Sequence, residues 1–153
     1  MKSALLLALL ATSLVAGTAV AEVKPEEAIK YRQSGYGFMA WNMGRIKTNV
    51  EGGNFNKDEV VKAANAIQAI ANSGMGALYL PGTDKGTGWE KTRAKPEMWT
   101  EKEKLGKAAM AFNKEANEMA KVAASGDAAA IGSQLGKLGG TCKGCHDDFK
   151  IKN

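Results

Sequence analysis

Residues 131–149 read IGSQLGKLGGTCKGCHDDF. Ile131, Leu135, Leu138, Cys142, Cys145 and Phe149 follow one another at spacings of four, three, four, three and four. That is the period of one face of an amphipathic α-helix. The spacing therefore predicts a helix whose core-facing stripe includes both cysteines of the chain. Asp127 stands where an N-cap is needed, directly after Gly126, which ends the segment before it. Gly139 and Gly140 each cost about 1 kcal/mol against alanine in a helix interior, so the pattern calls for something to approach the backbone there.

Working outward, three further segments carry helical periodicity and none carries sustained strand alternation. The first runs from Pro25 to Val50. Proline suits a first helical turn, and Glu26 and Glu27 suit the positive end of the helix dipole. Ile29, Tyr36, Met43 and Val50 recur every seven residues, with Met39 and Ile46 at intervening core positions. Arg32 falls on the same pattern, so a charge occupies a core position. A second helix is expected from Asn56, with Glu59 three residues on as its capping partner, to about Leu78. The stretch YLPGTDKGTGWEKTRAKP, residues 79–96, is glycine-rich, broken by Pro81 and Pro96, and reads as a long loop of the kind that often carries function. Thr100 and Glu103 form a capping-box pattern for a third helix, where Leu105, Ala109, Phe112, Ala116 and Met119 share a face. No repeat or linker divides the chain. The reading is all-α, one antiparallel four-helix bundle.

The N-terminus bears on compartment. Lys2 is followed by an uncharged apolar stretch, and Ala19 and Ala21 place small residues two apart, as signal peptidase accepts. Residues 1–21 are expected to be a removed signal peptide and 22–153 a single domain, exported to the periplasm. The formal charge is +5, with lysines spread among acids. No basic cluster is interleaved with stacking aromatics, which argues against a nucleic-acid partner, and no later segment is apolar enough to hold the mature chain in a membrane.

The chain has two cysteines and one histidine, all in Cys142-Lys143-Gly144-Cys145-His146. A disulfide between such close cysteines would constrain little of the unfolded chain. A redox-active dithiol of the thioredoxin type follows a strand, and none is predicted here. Structural zinc takes four ligands, and no further Cys or His exists to complete a set. Covalent haem fits: two thiols three residues apart each form a thioether to a vinyl group, and the next residue presents its imidazole to the iron. CxxCH is the attachment pattern of c-type haem.

With the motif set at the end of the fourth helix, the chain resembles the cytochromes c′. The likeness rests on PEEAIKYRQSGYGFMAWNMGRIK (residues 25–47), the loop LPGTDKG (80–86), RAKPEMW (93–99) and the terminal CKGCH. It implies an up-down-up-down four-helix bundle carrying one haem c, bonded through Cys142 and Cys145, with His146 as the axial iron ligand. It further implies that Arg32 and Gln33 lie beside the haem, that Arg93 approaches it from the loop, and that Tyr36 takes the distal position. Lys150 stands where many members have arginine. The residue pattern agrees about Arg32, since a guanidinium at a core position calls for a buried anion, which a haem propionate can supply.

His146 being the only histidine, bis-histidine ligation within one chain is excluded. Met39 and Met43 share a face with Tyr36, where methionine is more often core filler than ligand. The resemblance implies five-coordinate, high-spin iron that binds NO and CO reversibly and passes single electrons to and from an unidentified redox partner. The alternative is a six-coordinate, low-spin electron carrier with a methionine ligand, such as Met39, from the first helix. An enzyme such as a peroxidase wants a distal acid–base group, and no second histidine is available. Phe38 and Trp41 lie outside the core stripe of the first helix. The resemblance implies a homodimer packed through the first two helices.

Overall fold

A computed structural model describes residues 23–152; the expected signal peptide lies outside the described residues. Four long helices form an antiparallel up-down-up-down bundle: α1 (Pro25–Glu51), α2 (Lys57–Ala71), α4 (Lys102–Ser125) and α5 (Ala128–Phe149). A short 3-10 turn (Met75–Leu78) and a one-turn helix α3 (Glu97–Thr100) interrupt the connection between α2 and α4. Around the bundle α1 packs on α2, α2 on α4 and α4 on α5, while α1 and α5 meet over a smaller area. Among the described residues no helix is long and apolar enough to cross a membrane.

The helix ends follow from their caps. Pro25 opens α1, and the α1–α2 turn ends at Asn56, whose side chain accepts the Glu59 amide at 3.1 Å. Asp127 caps α5 by accepting from Ala129 and Ala130, and Gly126 reaches the left-handed conformation (φ 78°) that closes α4. Two expected boundaries are corrected. α2 stops at Ala71 and not near Leu78, because Asn72 ends the helix and Gly74 turns left-handed (φ 81°) before the 3-10 turn. The Thr100/Glu103 capping box does not form: Thr100 belongs to α3, and α4 begins after Glu101 without a side-chain cap. Pro96 starts an extra turn there, which uses up the residues that the box would need.

The core is built from Met39, Ile46, Val60, Ala63, Ala64, Ile67, Ala116, Met119, Ala123, Ile131 and Leu138, with Leu135 and Phe112 half-buried at its border. Side chains such as Ile131 and Leu138 are fully enclosed; truncating one of that size to alanine typically costs about 2–5 kcal/mol. On α5 the stripe is buried at Ile131, Leu138 and Phe149, but only half-buried at Cys142 and Cys145. On α1 the stripe departs at Tyr36, which is 41 % exposed where the pattern expects a core residue. Both departures lie at the same end of the bundle, between α1 and α5.

Candidate functional site

Cys142, Cys145 and His146 occupy one turn and a fraction of α5, so the helix itself sets their relative directions. Both cysteines are free thiols, and burial raises the pKa of each. Gly139, one turn before Cys142, and Gly140 would meet nothing within 4 Å if they carried a Cβ. Among the described residues nothing makes the expected close approach, and the helix presents bare backbone beside its thiols.

His146 lies exposed on the outer side of the turn. A cavity of about 290 Å³ there is lined by Arg93, His146, Asp147, Lys150, Ile151 and Lys152. The chain after α5 positions these groups by pairing with the loop: the Lys95 amide donates to the Phe149 carbonyl at 2.9 Å, and the Ile151 amide to the Arg93 carbonyl at 2.8 Å. Lys95 Nζ caps the last carbonyls of α5, donating to Asp147 at 3.2 Å and Asp148 at 3.0 Å, where a cation suits the helix dipole. Partial burial, then the positive charges of Lys150 and Arg93, hold the imidazole pKa below its usual value, against the pull of Asp147. The neutral imidazole that results is the form that binds a metal.

On the α1 side Arg32 and Tyr36 both meet Tyr79, Gln33 turns to the loop, and Met39 turns to the core. Arg32 is 4 % exposed. Its guanidinium donates to Thr83 Oγ1 at 2.7 Å, Thr92 Oγ1 at 2.9 Å, the Leu78 carbonyl at 3.3 Å and, closer still, the Thr83 carbonyl. It also lies 4.8 Å from the centroid of the Tyr79 ring. The guanidinium is thus satisfied within the protein itself. Four neutral oxygens and an aromatic face supply the negative potential, and burial pulls its pKa down from the usual arginine value. Gln33 points to the loop backbone, donating to the Glu90 carbonyl and accepting from the Trp89 amide at 2.8 Å. Gly88 permits that closeness, since a Cβ there would sit 2.6 Å from Gln33 Oε1. Met39 is enclosed in the core with Ile46 and its neighbours, which fits a filler role.

Tyr36 reaches toward the thiols. Cys145 and Cys142 are close enough to raise its phenol pKa electrostatically, beyond the larger upward push of burial around the hydroxyl. Its hydroxyl accepts a 3.0 Å hydrogen bond from Tyr79. Tyr79, Thr83 and Thr92, which contact Arg32 and Tyr36, carry no signal in the sequence beyond membership of the long glycine-rich loop.

Against known proteins, the family profile described as cytochrome C' matches residues 27–150. The chain belongs to the cytochrome c′ family. A cytochrome c' of Rhodocyclus tenuis is 57 % identical over 130 residues, spanning 85 % of this chain and 98 % of that protein. A solved cytochrome c', described as having a ligand-controlled dimer dissociation, superposes with a TM-score of 0.82 at 53 % identity over 86 % of this chain and all of the other. The cytochrome c prime of Alcaligenes xylosoxidans, in a ferrous variant with bound NO, superposes with a TM-score of 0.76 at 28 % identity over 86 % of this chain and 99 % of that one.

This chain's residues fit the haem c of that family. Two free, half-exposed thiols stand one turn apart beside bare helix backbone, and burial lowers the pKa of the neighbouring imidazole. Among the described residues no group of three or more His, Cys, Asp or Glu side chains could hold a metal ion alone.

Proposed function

We propose that this chain is a periplasmic, high-spin, five-coordinate haem c protein that binds NO and CO reversibly and passes single electrons. The observation that carries the reading is the pairing across the gap between α1 and α5: one imidazole at the CxxCH turn, and opposite the thiols a neutral phenol. Cys142 and Cys145 would hold the haem, each sulfur adding to a vinyl carbon and its proton to the neighbouring carbon, with no net oxidation. His146 would supply a nitrogen ligand to the iron. Haem iron brings a ligand-binding position and a one-electron couple. Partial burial, then Lys150 and Arg93, lower the imidazole pKa and so favour its neutral form. Tyr36, its pKa raised further above the phenol's ordinary value of ~10, stays neutral and makes a poor iron ligand. With haem held by the thiols it would cover the open face of the iron without coordinating, and an incoming diatomic would have to displace it.

A six-coordinate carrier with Met39 as ligand is disfavoured, because Met39 would have to leave a packed core. Export to the periplasm rests on the N-terminal pattern. A homodimer through α1 is supported by Tyr31, Phe38 and Trp41, which are 56 %, 51 % and 57 % exposed, with the last two rings stacked at 5.4 Å. Exposed aromatic surface of this kind marks interaction sites. The dimer described for the similar solved structure points the same way.

The test is the visible spectrum of the ferrous protein with and without CO. A single broad band that changes on CO addition is expected; sharp α and β bands that CO leaves unchanged would refute an open site. Tyr36→Ala should raise the CO association rate while leaving haem attached. An unchanged rate would make Tyr36 ordinary core.

A further inference from the structure

The geometry points to Tyr79 as a positioning residue: its hydroxyl holds the Tyr36 phenol in place and so helps set how readily a gas molecule enters the site. This rests on the reading of Tyr36 as the distal cover. Tyr79 is itself immobilised from several directions. It follows the 3-10 turn, donating its amide to the Gly76 carbonyl at 3.1 Å. Its carbonyl accepts from Trp99 Nε1 at 3.2 Å, and its ring meets the Trp99 ring edge-on at 6.3 Å. The Arg32 guanidinium, fixed by Thr83 and Thr92, covers its face. Gly35 lets the turn press on α1, since a Cβ there would lie 2.8 Å from Met75 Cε. The Tyr79 hydroxyl is thereby delivered to Tyr36.

Tyr36 is held much less firmly. It is 41 % exposed, and the side-chain hydrogen bond its hydroxyl makes is the 3.0 Å bond to Tyr79, so that bond is the contact a swing of the ring must break. A neutral hydrogen bond of ordinary net strength corresponds to a factor of about five in an equilibrium or a rate. The aromatic cluster of the loop thus acts on ligand entry without touching the ligand.

Tyr79→Phe keeps the ring, its contact with Arg32 and its edge contact with Trp99, and removes only the hydroxyl. CO association is measured on the haem-loaded wild type, Tyr79→Phe, Tyr36→Phe and the double variant, with Tyr36→Ala as a reference. The same proteins are unfolded in denaturant. Each single Phe variant is expected to bind CO about fivefold faster, and the double variant no faster than either single, because both lose one shared bond. The denaturation midpoints should be non-additive in the same way. A merely structural Tyr79 would lower the midpoint and leave the CO rate at the wild-type value, which overturns the proposal. Multiplicative rates in the double variant would also overturn it. If Tyr36→Ala itself binds CO at the wild-type rate, the distal reading has failed. If Tyr36→Ala is fast and Tyr79→Phe is not, only the latch has failed.

Discussion

Replacing Arg32 by methionine removes the guanidinium while keeping a long side chain at a position that is 4 % exposed. The native side chain makes two well-formed bonds to hydroxyls, at 2.7 and 2.9 Å, and a short one to the Thr83 carbonyl; the contact with the Leu78 carbonyl at 3.3 Å is weaker. Three good bonds from a charged donor, at about 1.5 kcal/mol net each, give a loss of about 4–5 kcal/mol, the net figure already including the cost of taking the donors from water. No large orphaning penalty adds to this. Thr83 Oγ1 still donates to the Leu80 carbonyl at 2.8 Å, and Thr92 Oγ1 still lies 3.4 Å from the Thr83 carbonyl. The assay is guanidinium denaturation followed by far-ultraviolet circular dichroism, with the shift in midpoint read at unchanged slope. Because the bonds end on protein oxygens, haem retention in acid–acetone should match wild type. A loss below about 1 kcal/mol would show that solvent replaces the loop contacts, and the loop would not be anchored through Arg32.

Other consequences are as direct. Asn56→Ala removes the acceptor of the Glu59 amide and should lower stability by about 1 kcal/mol, measured by denaturation; no change would mean the cap is idle. Burial raises the phenol pKa of both Tyr36 and Tyr79 in the folded state. Their contribution to stability is therefore full below the unfolded phenol pKa of ~10 and is lost as pH rises toward the folded values. Alkaline unfolding should begin above that pH and be less steep in Tyr79→Phe. Sedimentation should give a dimer at micromolar concentrations, and Trp41→Glu should give a monomer that still carries haem; a wild-type monomer at tens of micromolar would refute the α1 interface.

Helix by helix, legibility followed how locally each feature is determined. The stripe of α5 and the caps at Asn56 and Asp127 depend on residues within a turn of each other, so spacing exposes them. The end of α2 and the start of α4 depend on the conformation of the connection: Gly74 and Pro96 redirect the chain, and a locally good capping box at Thr100 is overruled by α3. The CxxCH motif consists of adjacent residues, so the sequence displays it directly. Arg32 was correctly placed in the core, but its partners Thr83 and Thr92 are 51 and 60 positions away, and no pattern in the sequence links them. Tyr79 was invisible for the same reason. Its role rests on a hydroxyl pair that forms only when the 3-10 turn packs on Gly35.

The central claim is that the last turn of α5 bonds haem through both of its thiols. The measurement that tests it most directly is the pyridine haemochrome of protein washed with acid–acetone, for the wild type and for Cys142→Ala and Cys145→Ala. One haem per wild-type chain should survive the wash with the spectrum of saturated side chains, and each variant should retain less. Haem that washes freely from the wild type would contradict the account.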